Sequence, residues 1–352
     1  MQEKVKYLIV GQGLVGTWLS YFLQQRQLSF KIINDNTVKA ATSIASGVIN
    51  PVTGRRIVQT WMIDSLLPFA VQAYKAFGET LGTEIIKKAP AILLHPSEQM
   101  KESFEYRLSH ENVYLFKNDP EIVRSFFNTP YGTGAIDECY WIDLNKMLSA
   151  SRLLLQQNEN YIECNFSLQD LTFNEKGVIW QNIQAEYIIF CDGIHAMHNN
   201  YFNKLPFAPN KGEALIIKVP GLPTNHIYKT NISIIPWVDD LFWVGSSYEW
   251  SFDSIAPTLE FREKMKEALG LYLKLPFEVV DHIVGVRPAN RDRRPFVGMH
   301  PIYPQIGICN GMGTKGCSLA PYFTNQLIDH LELGLPIEPE ANINRFQNLL
   351  VS

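Results

Sequence analysis

Six residues, Gly11-Gln-Gly-Leu-Val-Gly16, constrain this chain more than any others. They follow a short apolar, β-forming run at 5–10. They precede a stretch, 17–27, whose apolar residues Trp18, Leu19, Phe22 and Leu23 fall at helical spacing. A second apolar run at 30–33 closes in the polar trio Asn34, Asp35 and Asn36. The pattern predicts a βαβ unit. In such a unit the first two glycines permit a tight turn and close approach of a pyrophosphate, and the third lets helix and strand pack together. The helix amino terminus adds free amides and a positive dipole end. Gly11, Gly13, Leu14, Val15 and Gly16 are therefore candidate dinucleotide contacts. Asn34 takes the register position of the ribose-binding acid and Asp35 stands beside it. The absence of Arg at the strand end disfavours a 2′-phosphate.

At 352 residues the chain exceeds what one hydrophobic core comfortably serves, so two domains are expected. The α/β character returns late. A helix is predicted over 144–157, and a buried strand over 187–190 ends in Cys191-Asp192-Gly193. Another strand at 306–309 leads into a second glycine-rich turn and a helix reaching about Leu333. The intervening 86–140 and 205–285 are rich in Pro, aromatic and β-branched residues. They hold strand-like pieces at 214–219 and 241–244 and one charged helix at 259–269. The expected fold is α/β: a discontinuous Rossmann-like domain (1–85, 141–204 and 286–352) with a mixed, mostly antiparallel β-sheet substrate domain (86–140 and 205–285).

Composition excludes several classes. With 46% hydrophobic and 19% charged residues the chain is not disordered. A net charge of -4 excludes nucleic-acid binding by bulk charge, though not by a local basic patch. No apolar stretch reaches the roughly 18 residues of a membrane span, and the amino-terminal residues show no signal-peptide pattern. Five cysteines with no C-x-x-C pair argue against a disulfide framework and a zinc knot, so no metal is expected. The reading is a reduced, cytoplasmic protein.

The segment Ala41-Thr-Ser-Ile-Ala-Ser-Gly47-Val-Ile-Asn-Pro51 follows the second strand, where an NAD-binding domain would continue its α/β alternation. Here the chain resembles the D-amino-acid oxidase superfamily of FAD-dependent amine and amino-acid oxidases, which includes glycine and sarcosine oxidases. The resemblance implies FAD in a glutathione-reductase-like domain, with Ser43, Ser46, Gly47 and Val48 running past the pyrophosphate toward the flavin. It extends to Tyr187-Ile-Ile-Phe-Cys-Asp-Gly193, which assigns Cys191 and Gly193 to the cofactor, and it sets the Leu168 backbone against the adenine. LPFAPNKGEAL at 205–215 resembles the crossing into the substrate domain. Ile234-Ile-Pro236 and Phe242-Trp-Val-Gly-Ser246 resemble the paired strands that floor the active site.

Gly285-Val-Arg287-Pro288, followed by Asp292, Pro295 and Gly298, is the most specific piece. In the family this Arg grips the substrate carboxylate with both prongs of its guanidinium, holding the amine-bearing carbon over the flavin. The alternative for Arg287 is a structural ion pair. Arg291, Arg293 and Arg294 read as a solvated basic loop. Asn310-Gly311-Met-Gly313-Thr-Lys315-Gly316 opens the last helix. Family members face this turn to the flavin's pyrimidine edge, where reduction places negative charge. Gly311, Gly313, Thr314, Lys315 and Gly316 follow as candidates. Lys315 is either that cation or a surface lysine with a packed stem.

The tail most resembles the FAD domain of the bacterial bifunctional enzyme that trims a carboxymethylamino group on the tRNA wobble uridine, whose partner methyltransferase domain this chain lacks. Glycine oxidases carry Tyr where this chain has Ser233, and Arg where it has Thr314, so plain glycine is not the expected substrate. No Cys lies between Arg287 and Gly298, where sarcosine oxidases place the flavin-linking thiol; noncovalent FAD is expected, with Cys309 and Cys317 as packing residues. His195 reads as a structural histidine. The expected reaction is oxidation of a C–N bond beside a carboxylate in a small amine or amino acid. The first alternative is a stand-alone tRNA oxidoreductase needing a basic rim of Arg55, Arg56, Arg291, Arg293 and Arg294. A non-catalytic flavin-binding protein is the next, and an NAD dehydrogenase the last.

Overall fold

The structure is a computed structural model that describes residues 2–37, 39–54, 56–110 and 114–351. Its first sheet has eight strands. Glu3–Val10 lies between Phe30–Asn34 and Ile183–Phe190, all parallel. Tyr161–Glu163 extends the sheet beyond Phe30–Asn34. Ile306–Asn310 runs parallel to the second half of Ile183–Phe190, and Phe296–Met299 pairs outside it. The hairpin Leu171–Asn174 and Gly177–Trp180 occupies the first half of that same edge.

The central strands are apolar on both sides because both faces are covered. Tyr7, Ile9, Ile32 and Ile189 pack toward the helices Leu14–Gln25, Ile63–Thr80 and Gly316–Leu333. There Trp18 meets Tyr74 edge-on at 4.8 Å. On the opposite face Leu8, Val10, Ile33 and Phe190 pack with Trp180, Phe202 and Phe296.

The first helix begins at Leu14, directly after Gly13, rather than at Thr17 as apolar spacing suggested. All four residues 14–17 are buried, so the first turn carries no amphipathic signature; glycine packing, not periodicity, sets where it starts. The charged helix likewise runs on from Leu259 to Tyr272, past Gly270.

The second eight-stranded sheet runs in the order Glu278–Arg287, Asn210–Lys218, Leu241–Gly245, Ser233–Pro236, Ile227–Lys229, Ala91–Leu94, Thr133–Ile136 and Leu115–Lys117. Every pairing is antiparallel except Ile227–Lys229 with Ala91–Leu94. Strand alternation divides its side chains between two faces. Leu215, Ile217, Phe242 and Val244 pack under Phe261, Met265 and Leu269 of the helix Leu259–Tyr272. Ala214, Ile216, Ile235 and Trp243 face Val52, Ile57 and Cys139 on the side of the glycine turns. A small sheet of Val48–Ile49, Tyr140–Ile142 and Ile86–Lys88 bridges the two halves. The architecture is α/β with a mostly antiparallel second sheet.

Candidate active site

The three amino-terminal glycines do different jobs. Gly11 has φ +98°, and a Cβ there would lie 2.8 Å from the Cys191 carbonyl oxygen. A Cβ on Gly16 would stand 1.8 Å from the Gly11 carbonyl oxygen. Both are glycine because the protein packs against itself. At Gly13 a Cβ would meet only Thr42 Oγ1, at 3.6 Å, so the space before it is left open. The helix amino terminus aims into that space, with Val15 and Gly16 in its first turn, while the Leu14 amide donates to Thr42 Oγ1 at 3.0 Å. A cradle left open at the middle glycine and closed at its neighbours fits a pyrophosphate, as FAD carries.

Asn34 is committed to the turn. Its Oδ1 accepts from the Gln12 amide at 2.8 Å, and its Nδ2 donates to Asn36 and Tyr161. That leaves Asp35 as the acid at the strand end, with its carboxyl held below the usual range by donation from Thr37 and by nearby His195. His195 is exposed and near this acid, on the turn Gly193–His198, rather than packed in a core.

The loop after the second strand crosses to the other sheet. Ala41–Ile44 forms one tight turn, with Ser43 donating to the Ala40 carbonyl and accepting at its own carbonyl from Asn145. Trp243 Nε1 donates to the Ile44 carbonyl at 3.1 Å. A Cβ on Gly285 would strike Ile44 Cδ1 at 1.6 Å. Gly47 adopts φ +73° with its Cα against the Ile142 carbonyl, after half-buried Ser46 and before Val48. Leu168 opens a short turn, half-buried against the cluster holding Val10 and Ile33.

The carboxy-terminal turn closes against the first. Asn310 Nδ2 donates to the Gly193 carbonyl at 2.9 Å, joining the two strand ends, and its Oδ1 accepts from the Gly311 amide at 2.7 Å. Gly313 donates to the Pro288 carbonyl at 3.1 Å. Thr314 is exposed and Lys315 half-buried, just before the helix that begins at Gly316. A Cβ on Gly316 would lie 2.9 Å from Leu14 Cδ2, so the turns touch. Cys191, Cys309 and Cys317 are buried, and burial pushes all three thiols up, Cys317 to about 12. None is a ready nucleophile.

Arg287 ends the strand Glu278–Arg287 beside this junction. Its Nη1 donates to Asn210 Oδ1 at 2.6 Å and to the Ser247 carbonyl at 3.2 Å; Nη2 donates to Ser246 Oγ at 2.7 Å. The guanidinium lies over Gly212, where a Cβ would come within 2.0 Å of Nη2, and 4.7 Å from the Tyr248 ring centre. No described carboxylate lies within ion-pair distance of it, which removes the structural ion-pair alternative. Burial lowers its pKa. Arg287 is a held, half-buried cation without a described counter-charge.

A cavity of about 840 Å³ adjoins, lined by Tyr248, Lys229, Arg56, His95 and apolar residues such as Val52 and Leu93. Lys229 and Lys315 are both half-buried lysines. Burial, then the charge of Lys229, brings the Lys315 ammonium down to about 8; burial also lowers Lys229. Sequence reasoning missed Lys229. The signal was its register: two residues after Ile227, it shares the inward face of a strand. Asn210 and Ser246, the holders of Arg287, carried no signal by spacing.

The basic rim is not uniform. Arg55 lies outside the described residues. Arg56, Arg291 and Arg293 are exposed. Arg294, expected to be solvated, is instead tied to Glu340 at 3.0 Å and lies 4.2 Å from the Trp61 ring centre.

A dinucleotide cradle, a second glycine turn closing on it and an unpaired guanidinium beside a cavity together define a flavin-dependent oxidoreductase. Residues 6–327 match the family model DAO, FAD dependent oxidoreductase, and the chain belongs to that family. It is similar to glycine oxidase of Bacillus subtilis (strain 168), 22% identical over 364 residues and covering 94% of each chain. It is also 21% identical over 384 residues to the tRNA 5-methylaminomethyl-2-thiouridine biosynthesis bifunctional protein MnmC of Legionella pneumophila (strain Philadelphia 1), covering 96% of this chain but only 55% of that protein. Among solved structures, iminodiacetate oxidase from Chelativorans sp. BNC1 superposes with a TM-score of 0.76 at 20% identity, covering 95% of this chain and 96% of that one. No helix among the described residues is long and apolar enough to cross a membrane.

Proposed function

We propose that the protein oxidises the C–N bond of an amino acid or N-substituted glycine whose carboxylate is held by Arg287. The observation that carries this reading is the Arg287 guanidinium, fixed by Asn210 and Ser246 and left without an acid among the described residues. The FAD-binding part comprises 1–85, 141–204 and 286–352, and the substrate part 86–140 and 205–285. Gly13, Leu14, Val15 and Asp35 hold the diphosphate and ribose end of noncovalent FAD. The segment 43–48, with Gly311, Gly313 and Thr314, holds the flavin end.

Bound FAD supplies the two-electron acceptor for hydride leaving the carbon beside the amine. The chain supplies position. Arg287 fixes both carboxylate oxygens, so the substrate cannot rotate about its own axis. Tyr248 covers the guanidinium from the solvent side, and the apolar cavity wall limits water around the pair. Lys315, at the helix amino terminus, favours negative charge on the cofactor side.

The test is anaerobic addition of a panel of amino acids and N-alkyl glycines to the purified yellow protein. Bleaching of the flavin band by carboxylated amines, and not by their amides, supports the reading. A flavin that stays oxidised with every member makes this a non-catalytic flavin-binding protein. The similarity to the MnmC protein favours a second reading, oxidation of a carboxymethylamino group on a wobble uridine with the same clamp. The tie of Arg294 to Glu340 weighs against it. Mass spectrometry of wobble nucleosides from cells lacking the protein separates the two, since only the second predicts an accumulated precursor.

A further inference from the structure

We propose that the cavity beside Arg287 binds a second anionic group of the substrate on Lys229, so that the substrates are amines bearing two carboxylates. This rests on the Arg287 clamp and goes beyond it. Lys229 stands on the inward face of the strand Ile227–Lys229 and lines the cavity together with Arg56 and Tyr248. Tyr248 also lies 4.7 Å from the Arg287 guanidinium, so one aromatic ring joins the clamp to the cavity. No Asp or Glu lines the cavity among the described residues. Neither Lys229 nor Lys315 has a carboxylate within ion-pair distance among them. Lys229, half-buried in the cavity wall without a described counter-charge and with the Lys315 charge acting on it from outside that wall, is costly to keep charged. An anion entering from the cavity removes that cost. The cavity, about 840 Å³, is also far larger than a two-carbon amino acid fills.

Lys315 belongs to the flavin side by its place before Gly316, which leaves Lys229, on the substrate sheet, to meet the ligand. Arg56, exposed at the same wall, draws anions in without burying them. A monocarboxylate amine then uses only Arg287, whereas a dicarboxylate spans both cations and is oriented at two ends.

The experiment titrates purified holoenzyme with unreactive acids of matched length, glutarate against valerate and succinate against butyrate. It follows flavin absorbance changes and heat by calorimetry. Wild type is expected to bind each diacid about tenfold or more tightly than its monoacid. Lys229→Met is expected to bring that ratio to within about threefold, and Lys229→Arg to retain most of it. Equal affinities in wild type overturn the proposal, as does an unchanged ratio in a folded Lys229→Met. If Lys229→Met does not fold, the wild-type ratio and Lys229→Gln decide by the same criteria. Displacement of glutarate by bulk tRNA, but not by inorganic phosphate at equal phosphate concentration, assigns the lysine to nucleic acid and also overturns it. Arg287→Met separates the two readings. Loss of both acids upholds the clamp even if the diacid preference is absent, and intact valerate binding rejects the clamp whatever Lys229 does.

Discussion

Asn210 and Arg287 are partners twice over: they face each other across adjacent antiparallel strands, and the guanidinium donates to the Asn210 side chain at 2.6 Å. Backbone register thus carries the arginine to a fixed place, and the side-chain bond fixes its rotation. A guanidinium so held loses little freedom when a carboxylate arrives. Replacing Asn210 with Ala is expected to raise KM for carboxylated amines about tenfold with a smaller change in kcat, because orientation is lost while charge remains. Steady-state kinetics on folded variant, with FAD content checked, reads the split. A fall in kcat alone would contradict it.

Arg287→Ala removes the charge itself. The expected loss is about 2–5 kcal/mol of carboxylate affinity, the range for removing one partner of a buried charged contact. Arg287→Lys should recover only a minor part, since an ammonium cannot grip two oxygens in one plane. Kinetics with a carboxylated amine and its amide check this: only the carboxylate form should suffer.

The glycine turn yields a contrast between neighbours. Gly16→Ala forces a methyl to 1.8 Å of the Gly11 carbonyl and is expected to destabilise the apoprotein by about 1–3 kcal/mol or more. Gly13→Ala meets nothing nearer than 3.6 Å and should leave apoprotein melting within about 1 °C while weakening FAD binding at least about tenfold. Thermal melts of apoprotein beside FAD titration distinguish the two. Equal FAD affinity in Gly13→Ala would mean the open space before that residue is not the pyrophosphate cradle.

The arm that holds the clamp depends on a buried acid. Glu213 is fully buried, lies 3.1 Å from the Lys211 ammonium, and accepts from the amide and hydroxyl of Thr258, which caps the helix Leu259–Tyr272. Its own amide accepts no charge but donates to Ser247 Oγ, next to the carbonyl that receives Arg287. Glu213→Ala leaves a buried lysine with one acid fewer and an unanchored cap. A loss of about 3–5 kcal/mol is expected in urea denaturation. A loss under 1 kcal/mol would show that Glu249 alone compensates Lys211.

The first glycine turn was legible because glycine spacing is a backbone demand, written directly in residue type. Gly11 and Gly16 are forced by contacts a Cβ would break, and so are visible as letters. Arg287 was singled out by the resemblance carried in Gly285-Val-Arg287-Pro288, not by any constraint its own position shows. Lys229 was not, since a lysine in a three-residue strand reads as solvent-facing unless the pairing partners are known. Nor was the commitment of Asn34 to the Gln12 amide, which depends on a three-dimensional turn. Arg294 looked solvated because its acid, Glu340, comes from the far end of the chain.

Lys315 gives a stability prediction with a definite sign. Its pKa falls from 10.5 to about 8, through burial first and the Lys229 charge second. The unfolded chain restores the ordinary value. Between about 8 and 10.5 the unfolded state therefore binds more protons than the folded state, and stability rises with pH across that window. Below about 8 both states are protonated, and the full cost of burying the charge is present. At about 1.4 kcal/mol per unit, reduced for the part of the side chain that meets solvent, the cost is about 1–3 kcal/mol. Lys315→Met apoprotein is accordingly expected to be more stable than the parent by that amount at pH 7, with the gap closing as the pH approaches 10. Urea midpoints of both apoproteins at pH 7, 8, 9 and 10 measure it directly. A methionine variant that is less stable at pH 7, or a gap that ignores pH, would place an unseen counter-charge beside the lysine.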